Sequence, residues 1–311
     1  MQIKPSGYVD SMSKIRVGLP KLTFSGHLGR SEADEGPKTM EEGGLIFLLE
    51  GMGCVIEERV YAKLSPEEEQ VYGARMRLGL ASNNLADVVA KQIRADILPI
   101  GLLANCNGLM GMLAGHQRAS GQWKPLRVGL VWIDAHGDFN TPETSLSGMM
   151  GGMPVAISTG LCLHHIRRAC GLNPPLPISY VSMVGVRDTD PWEQNLIDTH
   201  GIPQVTVADL KAGSPKIYEE MERLAALTDL IYVHVDLDIL DPDDIPGAGL
   251  PVENGPTADE LGEALEIMFR HPKTVGYGMA SYPWSRDIER KGLKSVYRLV
   301  EGVIKGVKSR A

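Results

Sequence analysis

Six short runs along the chain are almost uninterrupted in apolar residues: KIRVGLP, ILPIGLL, LRVGLVWID, ISYVSMVGV, LIYVHVDLD and TVGYGMA. A strand with one face in water alternates apolar and polar positions, whereas a strand covered on both faces does not. Longer amphipathic stretches lie between these runs and predict helices. They are PKTMEEGGLIFLLEGMG, residues 66–93, and the segments near 193–200, 214–227, 257–270 and 290–309. Strand and helix in alternation predict a central, mostly parallel sheet with helices on both faces, a three-layer α/β/α sandwich. No internal repeat, low-complexity tract or Pro/Ser-rich linker interrupts the pattern. Residues 15–311 are therefore expected to form one domain behind a loose arm at residues 1–14.

Composition narrows the function. With 311 residues, 43% of them hydrophobic, the chain can bury a sizeable core. Its net charge is −8 and it has no block of Lys or Arg, which disfavours nucleic acid and anionic membranes as partners. Small neutral or cationic ligands suit it better. No apolar run approaches the roughly 18 residues of a membrane span. The opening MQIKPSGYVDSMSK has no apolar segment of the signal-peptide kind. The four cysteines, Cys54, Cys106, Cys162 and Cys170, are too scattered for a disulfide framework, so a reducing cytoplasm is expected.

In parallel α/β sheets, ligands bind outside the carboxyl ends of the strands. Two strand ends here are dense in acid. LRVGLVWI runs into Asp134-Ala135-His136-Gly137-Asp138, and LIYVHV runs into Asp236-Leu237-Asp238, with Asp241 shortly after. In extended backbone, residues i, i+2 and i+4 share a face, so Asp134, His136 and Asp138 converge, as do Asp236 and Asp238. Four carboxylates beside one imidazole repel one another unless cations neutralise them. Hard oxygen donors with an imidazole suit Mn²⁺ or a similar divalent ion, and this many donors suggest two ions.

The stretches DAHGDFNTPETSLSGMMGGMP, VGVRDTDPWE and HVDLDILDPDDIPGAGLP resemble the signatures of the arginase/agmatinase (ureohydrolase) family. GRSEADEGPKTMEEGGLIFLLEGMG is similar to that family's N-terminal Gly-Pro helix segment. The likeness runs from about residue 15 to the C-terminus. It implies the three-layer fold, a dinuclear Mn²⁺ centre, and attack on a guanidino carbon by a metal-bridging hydroxide. By motif, Asp134 and Asp236 would bridge the metals, Asp138 would complete one site, and His136 with Asp238 would hold the other. His136 and Asp138 are thereby the catalytic candidates. The resemblance also implies that Asn140, Ser145 and Ser147, in the loop reaching Gly148, hold a substrate α-carboxylate. Asp190 would meet the α-amino group, and Glu193 is a candidate second acid there. Such a set suits an α-amino acid zwitterion. A trimer or hexamer is expected on the same resemblance.

Three positions depart from the family. Its usual first ligand, a His in GGDHS five residues before a Gly, is matched here by Cys106, five before Gly111. A thiolate is softer than imidazole and shifts preference toward Zn, Fe or Co. The His that arginases place before the Gly of the SG-x-x-x-G-x-P loop is Gly151. The late Glu that grips a guanidinium has no counterpart from Gly276 to Pro283, where Ala280 or Ser281 takes its place.

Two functions of different class stay open on these grounds. One is metal-dependent hydrolysis of a guanidino or amidino C–N bond in arginine or a derivative such as hydroxyarginine, or in a guanidino substrate of the agmatinase kind. The other is a catalytically silent, ureohydrolase-like binding subunit. Ser281 and His234 are expected just behind the metal-binding acids, His234 through a hydrogen bond to a carboxylate. His116, His164 and His165 read as packing or surface residues, and Cys54, Cys162 and Cys170 as structural. Met149, Met150 and Met153 read either as an adaptable apolar wall over the site or as loop packing.

Overall fold

The protein, examined as a computed structural model, is described over residues 14–26, 32–211 and 215–310. The expected N-terminal arm lies, but for its last residue, outside these residues. One sheet of eight parallel strands forms the centre, in the order β2-β1-β3-β8-β7-β4-β5-β6. The strands are β1 Arg16–Leu22, β2 Val55–Tyr61, β3 Leu98–Leu103, β4 Val128–Ile133, β5 Val181–Val184, β6 Gln204–Val205, β7 Leu230–Asp236 and β8 Thr274–Ala280. The longer helices are α1 Ala74–Arg94, α2 Leu109–Arg118, α3 Pro191–His200, α4 Pro215–Leu227, α5 Ala258–Arg270 and α6 Lys291–Lys308.

All six apolar runs became strands, and they occupy the covered interior of the sheet. The two strands that the apolar pattern does not reveal, β2 and β6, are its edges. VIEERVY is only half-buried, because an edge strand has a neighbour on one side alone. Residues 66–93 do not form one helix. A short turn at Pro66–Glu69 is followed by α1, and the break falls at Gly73, whose φ of 92° ends any helical continuation.

Alternation along the strands divides the core in two. Val17, Leu19, Val131, Ile133, Val233 and Val235 face α4, α5, α6 and the helical segment at 36–51. Leu22, Leu103, Leu130, Trp132 and Tyr232 face α1, α2 and α3. Both sheet faces are therefore dry, and this is the three-layer α/β/α arrangement that the uninterrupted apolar runs require. Polar atoms of the central strands can reach water only at their ends.

The strand order has a further effect. β3 and β4 follow one another in the chain but are separated in the sheet by β8 and β7. The carboxyl ends of β3, β8, β7 and β4 thus stand side by side at the point where the connections diverge, where α/β sheets form their binding crevice.

Candidate metal centre

Each of these four strand ends delivers polar side chains to one place. After β3 the chain turns into a short 3₁₀ segment, Cys106–Gly108, started by Asn105, whose side-chain oxygen accepts from the Asn107 N–H at 3.2 Å. That turn aims the Cys106 thiol along the strand ends. After β4, Asp134 accepts from the His136 N–H at 2.7 Å and His136 bridges to Asp188 on the β5 side, which fixes the DAHGD loop. Asp138 takes a φ of 46°, unusual for a side-chain-bearing residue, and the turn returns its carboxylate to the centre. After β7, Asp236 accepts from the Asp238 N–H at 3.1 Å. After β8, Ser281 has a φ of 65° and its hydroxyl donates to Asp236 at 2.6 Å.

Two overlapping triplets result. Cys106, Asp134 and Asp236 offer donor atoms within 4.8 Å of one another, and so do Asp134, His136 and Asp238. Asp134 belongs to both, as a bridging acid should. Asp236, the other expected bridge, joins only the first triplet. Asp138 lines the same cavity but belongs to neither triplet.

The electrostatics follow from burial. Asp134 and Asp138 are pushed well above the ordinary carboxylate range, first by burial and then by neighbouring acids. Burial, with Asp238 close by, lifts Asp236 to about 7, tempered by hydrogen bonds from Cys106 and Ser281. Burial opposes charge on His136, but hydrogen bonds to Asp134 and Asp238, each at 3.3 Å from Nδ1, outweigh it and raise the imidazole to about 12. Burial and the charges of Asp236 and Asp134 push the Cys106 thiol up, so here the S–H donates to Asp236 at 2.8 Å.

This donor set fits divalent cations. A buried carboxylate oxygen without a partner is costly, and Asp238 Oδ1 has none among the described residues. Four acids share one imidazole and one neutral thiol, so only added positive charge balances them. The sulphur makes the Cys106 end softer than an all-oxygen and imidazole site.

The cluster floors a cavity of about 480 Å³. Asn140 forms part of its wall; its amide nitrogen donates to Asp190 at 3.1 Å and its oxygen accepts from the Thr144 hydroxyl at 2.9 Å. Ser147 lines the cavity, whereas Ser145 sits behind it, accepting from the Gly148 N–H at 3.0 Å. Glu193 lines the same cavity, and its two oxygens accept from the Phe139 and Asp190 N–H groups at 2.7 and 3.2 Å, tying the DAHGD loop to the start of α3. An acid at the third position of a helix does this as readily as it meets a substrate. Asp190 lines the cavity beside it, and one of its oxygens accepts from the Asn140 amide.

His234 also differs from expectation. It is fully buried and stacked on Trp132 with ring centroids 4.8 Å apart, and its Nδ1 pairs with the Tyr232 hydroxyl at 2.9 Å in place of a carboxylate. Burial lowers it to about 3, so it is neutral. His116 is a buried packing residue, while His164 and His165 are exposed. Met149 and Met150 line the cavity, and Met153 belongs to the core. All four cysteines are buried and free of disulfides. Among the wall residues that the sequence does not single out are Ser25, Arg75, Asn105, Asn107, Asp188 and Thr189. Only Asp188, two residues before Asp190 in a strand-end Asp-x-Asp, carried a signal.

A parallel sheet with buried acids from two neighbouring strand ends, joined by a thiol and a hydroxyl from the strands beside them, defines an α/β protein with a candidate site for divalent cations. The chain belongs to the arginase family, whose profile matches residues 27–297. It is 34% identical over 284 residues to an arginase of Entamoeba histolytica, covering 88% of this chain and 92% of that one. An arginase of Bacillus caldovelox is 32% identical over 247 residues, 77% of this chain and 81% of its own. The crystal structure of a Bacillus subtilis arginase superposes with a TM-score of 0.80 at 27% identity, covering 94% and 98% of the two chains. Among the described residues, no helix is long and apolar enough to cross a membrane.

Proposed function

We propose that this chain hydrolyses a linear, non-peptide C–N bond in the guanidino or amidino group of arginine, or of a derivative such as hydroxyarginine that keeps its α-amino-acid end. The observation that carries the reading is a shared floor and wall: two donor triplets meet at Asp134 beneath a wall where Asn140 and Asp190 are paired. Cys106, Asp134, Asp138 and Asp236 would hold one divalent ion, and His136 and Asp238, with the shared acids, a second. Manganese suits the oxygen and imidazole donors, and the thiol extends the choice to zinc, iron or cobalt. Such ions, when bound, supply activation of water and stabilisation of negative charge on the reacting group.

The residues of the chain do the rest. Asp190 offers its carboxylate to a substrate ammonium, and Asn140, oriented by Thr144, is placed to meet the adjoining carboxylate. Ser281 holds one oxygen of Asp236 and so fixes that carboxylate's direction. Trp132 does the same for the following turn, its indole N–H donating to the His136 carbonyl at 3.2 Å. With no acid between Gly276 and Pro283, a reacting group less basic than a plain guanidinium is favoured, because a buried cation lacks its partner there.

A panel of L-arginine, hydroxyarginine, agmatine, guanidinobutyrate and formiminoglutamate, assayed with Mn²⁺, tests the reading. Turnover of an α-amino acid above agmatine supports it, and preference for agmatine overturns it. The silent-subunit reading is favoured by one observation, the neutral thiol seated on Asp236 where the family has an imidazole. Metal analysis separates the two. Bound metal with turnover belongs to the enzyme, and no metal retained after Mn²⁺ incubation belongs to the silent subunit.

A further inference from the structure

The cavity continues beyond the acid cluster. In the order β1-β3-β8-β7-β4-β5, the Asn140–Asp190 wall lies on the β4–β5 side, and the opposite wall is built from the ends of β1 and β3. Ser25 and Gly26 follow β1, Asn105 and Asn107 follow β3, and the Asn105 amide donates to the Ser25 carbonyl at 3.0 Å. Arg75 enters from the first turn of α1. A Cβ on Gly26 would come within 3.0 Å of Leu78, one helical turn after Arg75, which fixes where α1 meets this wall.

Three observations give this second arm a ligand chemistry. Arg75 is exposed, is the one Lys or Arg lining the cavity among the described residues, and no hydrogen bond or ion pair there engages its guanidinium. Asn107 lines the cavity and is 3% exposed, yet its Oδ1 has no hydrogen-bond partner among those residues. The walls around the reacting position are also cut back. A Cβ on Gly151 would meet nothing within 4 Å, one on Gly152 would meet only Asp138 at 4.0 Å, and Ser281 is small.

We propose that this arm binds an anionic substituent carried by the reacting group, a carboxylate paired with Arg75, while Asn107 Oδ1 accepts an N–H of the guanidino or amidino group. The proposal rests on the function proposed above and narrows its substrate to an N-substituted guanidine, R–NH–C(=NH)–NH–R′. R bears the α-amino acid, directed at Asp190, and R′ bears the carboxylate. Water adds to the central carbon and the C–N bond to R breaks. The nitrogen leaves with a proton as R–NH₂, and the remainder is the substituted urea H₂N–CO–NH–R′. No oxidant or further reactant is consumed.

The test compares Nω-(carboxymethyl)-L-arginine with L-arginine on Mn²⁺-loaded protein, by titration calorimetry and by ornithine release. A charge-assisted pair is expected to make the carboxymethyl compound bind at least about tenfold more tightly than L-arginine. Arg75→Ala should abolish that ratio and Arg75→Lys should restore part of it. Equal affinities in the wild type, or a ratio that survives Arg75→Ala, overturn the proposal. Binding of neither compound by the wild type is a different result: it removes the parent reading, and this proposal with it.

Discussion

On β1, Lys21 is buried with its ammonium 2.5 Å from Glu41, whose other oxygen accepts from Arg59 at 2.5 Å. The Lys21 ammonium also lies 4.5 Å from the centre of the Tyr61 ring. Beyond β4 and β7, Asp134, Asp138, Asp236 and Asp238 crowd around a single imidazole. Lys21 and Glu41 are removed from water and neutralise each other, with the half-exposed Arg59 as a further cation, whereas the acids of the second cluster outnumber their one imidazole. Burial alone would raise Glu41, yet the hydrogen bonds from Lys21 and Arg59 pull it below the ordinary carboxylate range. Asp134, Asp138 and Asp236 go the other way, first because burial disfavours their charged forms and then because other acids stand close by. A balanced cluster holds a fold together, whereas an unbalanced one of this density spends folding stability to keep a binding site open.

The largest test of that contrast is Asp134→Asn. It should lower kcat/KM by at least about a thousandfold, because it disrupts both donor triplets at once. The same change should raise the melting temperature of metal-free protein, since it removes one of the repelling charges. A fall in metal-free melting temperature would break the comparison.

Glu41→Gln should do the opposite. It leaves Lys21 buried without its carboxylate and is expected to cost about 3–5 kcal/mol, measured by urea unfolding. Its pH signature has a definite sign. The folded pKa of Glu41 is depressed, so its stabilisation is present above the unfolded value near 4.5 and is lost as pH falls through the folded one. Wild type should therefore lose stability below about pH 4.5 more steeply than the variant. Parallel acid-unfolding curves would count against the assignment.

The smallest effect sharpens the difference at one ligand. Cys106→His replaces a soft donor by a harder one and should raise affinity for Mn²⁺ relative to Zn²⁺ by about tenfold, read by competitive metal titration. An unchanged ratio would reduce Cys106 to packing.

Much of this contrast is legible in the sequence, for unequal reasons. The interior strands announce themselves because burial on both faces leaves runs such as VGLVWI without polar interruption. DAHGD and DLD stand out because acids at the ends of such runs have few structural uses. The edge strand VIEERVY does not stand out, since one-sided pairing permits Glu and Arg. Helix α2, LMGMLAGHQR, is buried nearly all round and interrupted by two glycines, so it shows no amphipathic stripe. It exists because Gly111 and Gly115 let it lie close against Ser82 and Val89 of α1, a tertiary cause invisible to local pattern. Glu193 is ambiguous for a related reason: its spacing from Asp190 fits a helix cap and a substrate contact equally. Arg75 reaches the cavity from a segment whose own pattern carries no chemistry, Asn107 enters beside Cys106, and only the sheet order brings the two together.

That sheet order also sets a schedule for the growing chain. β7 and β8 fill the gap between β3 and β4, although they are made roughly 100 to 170 residues later. A ribosome-bound fragment ending before β7 has Cys106 and Asp134 but no Asp236, and two of the central strands still lack their neighbours. It therefore holds no complete donor triplet until the C-terminal third of the molecule has been made. Pairings this distant close slowly, because the loop entropy is lost before the contacts form. The candidate site is thus among the last features to mature, and its assembly reports that the central strands have been threaded correctly.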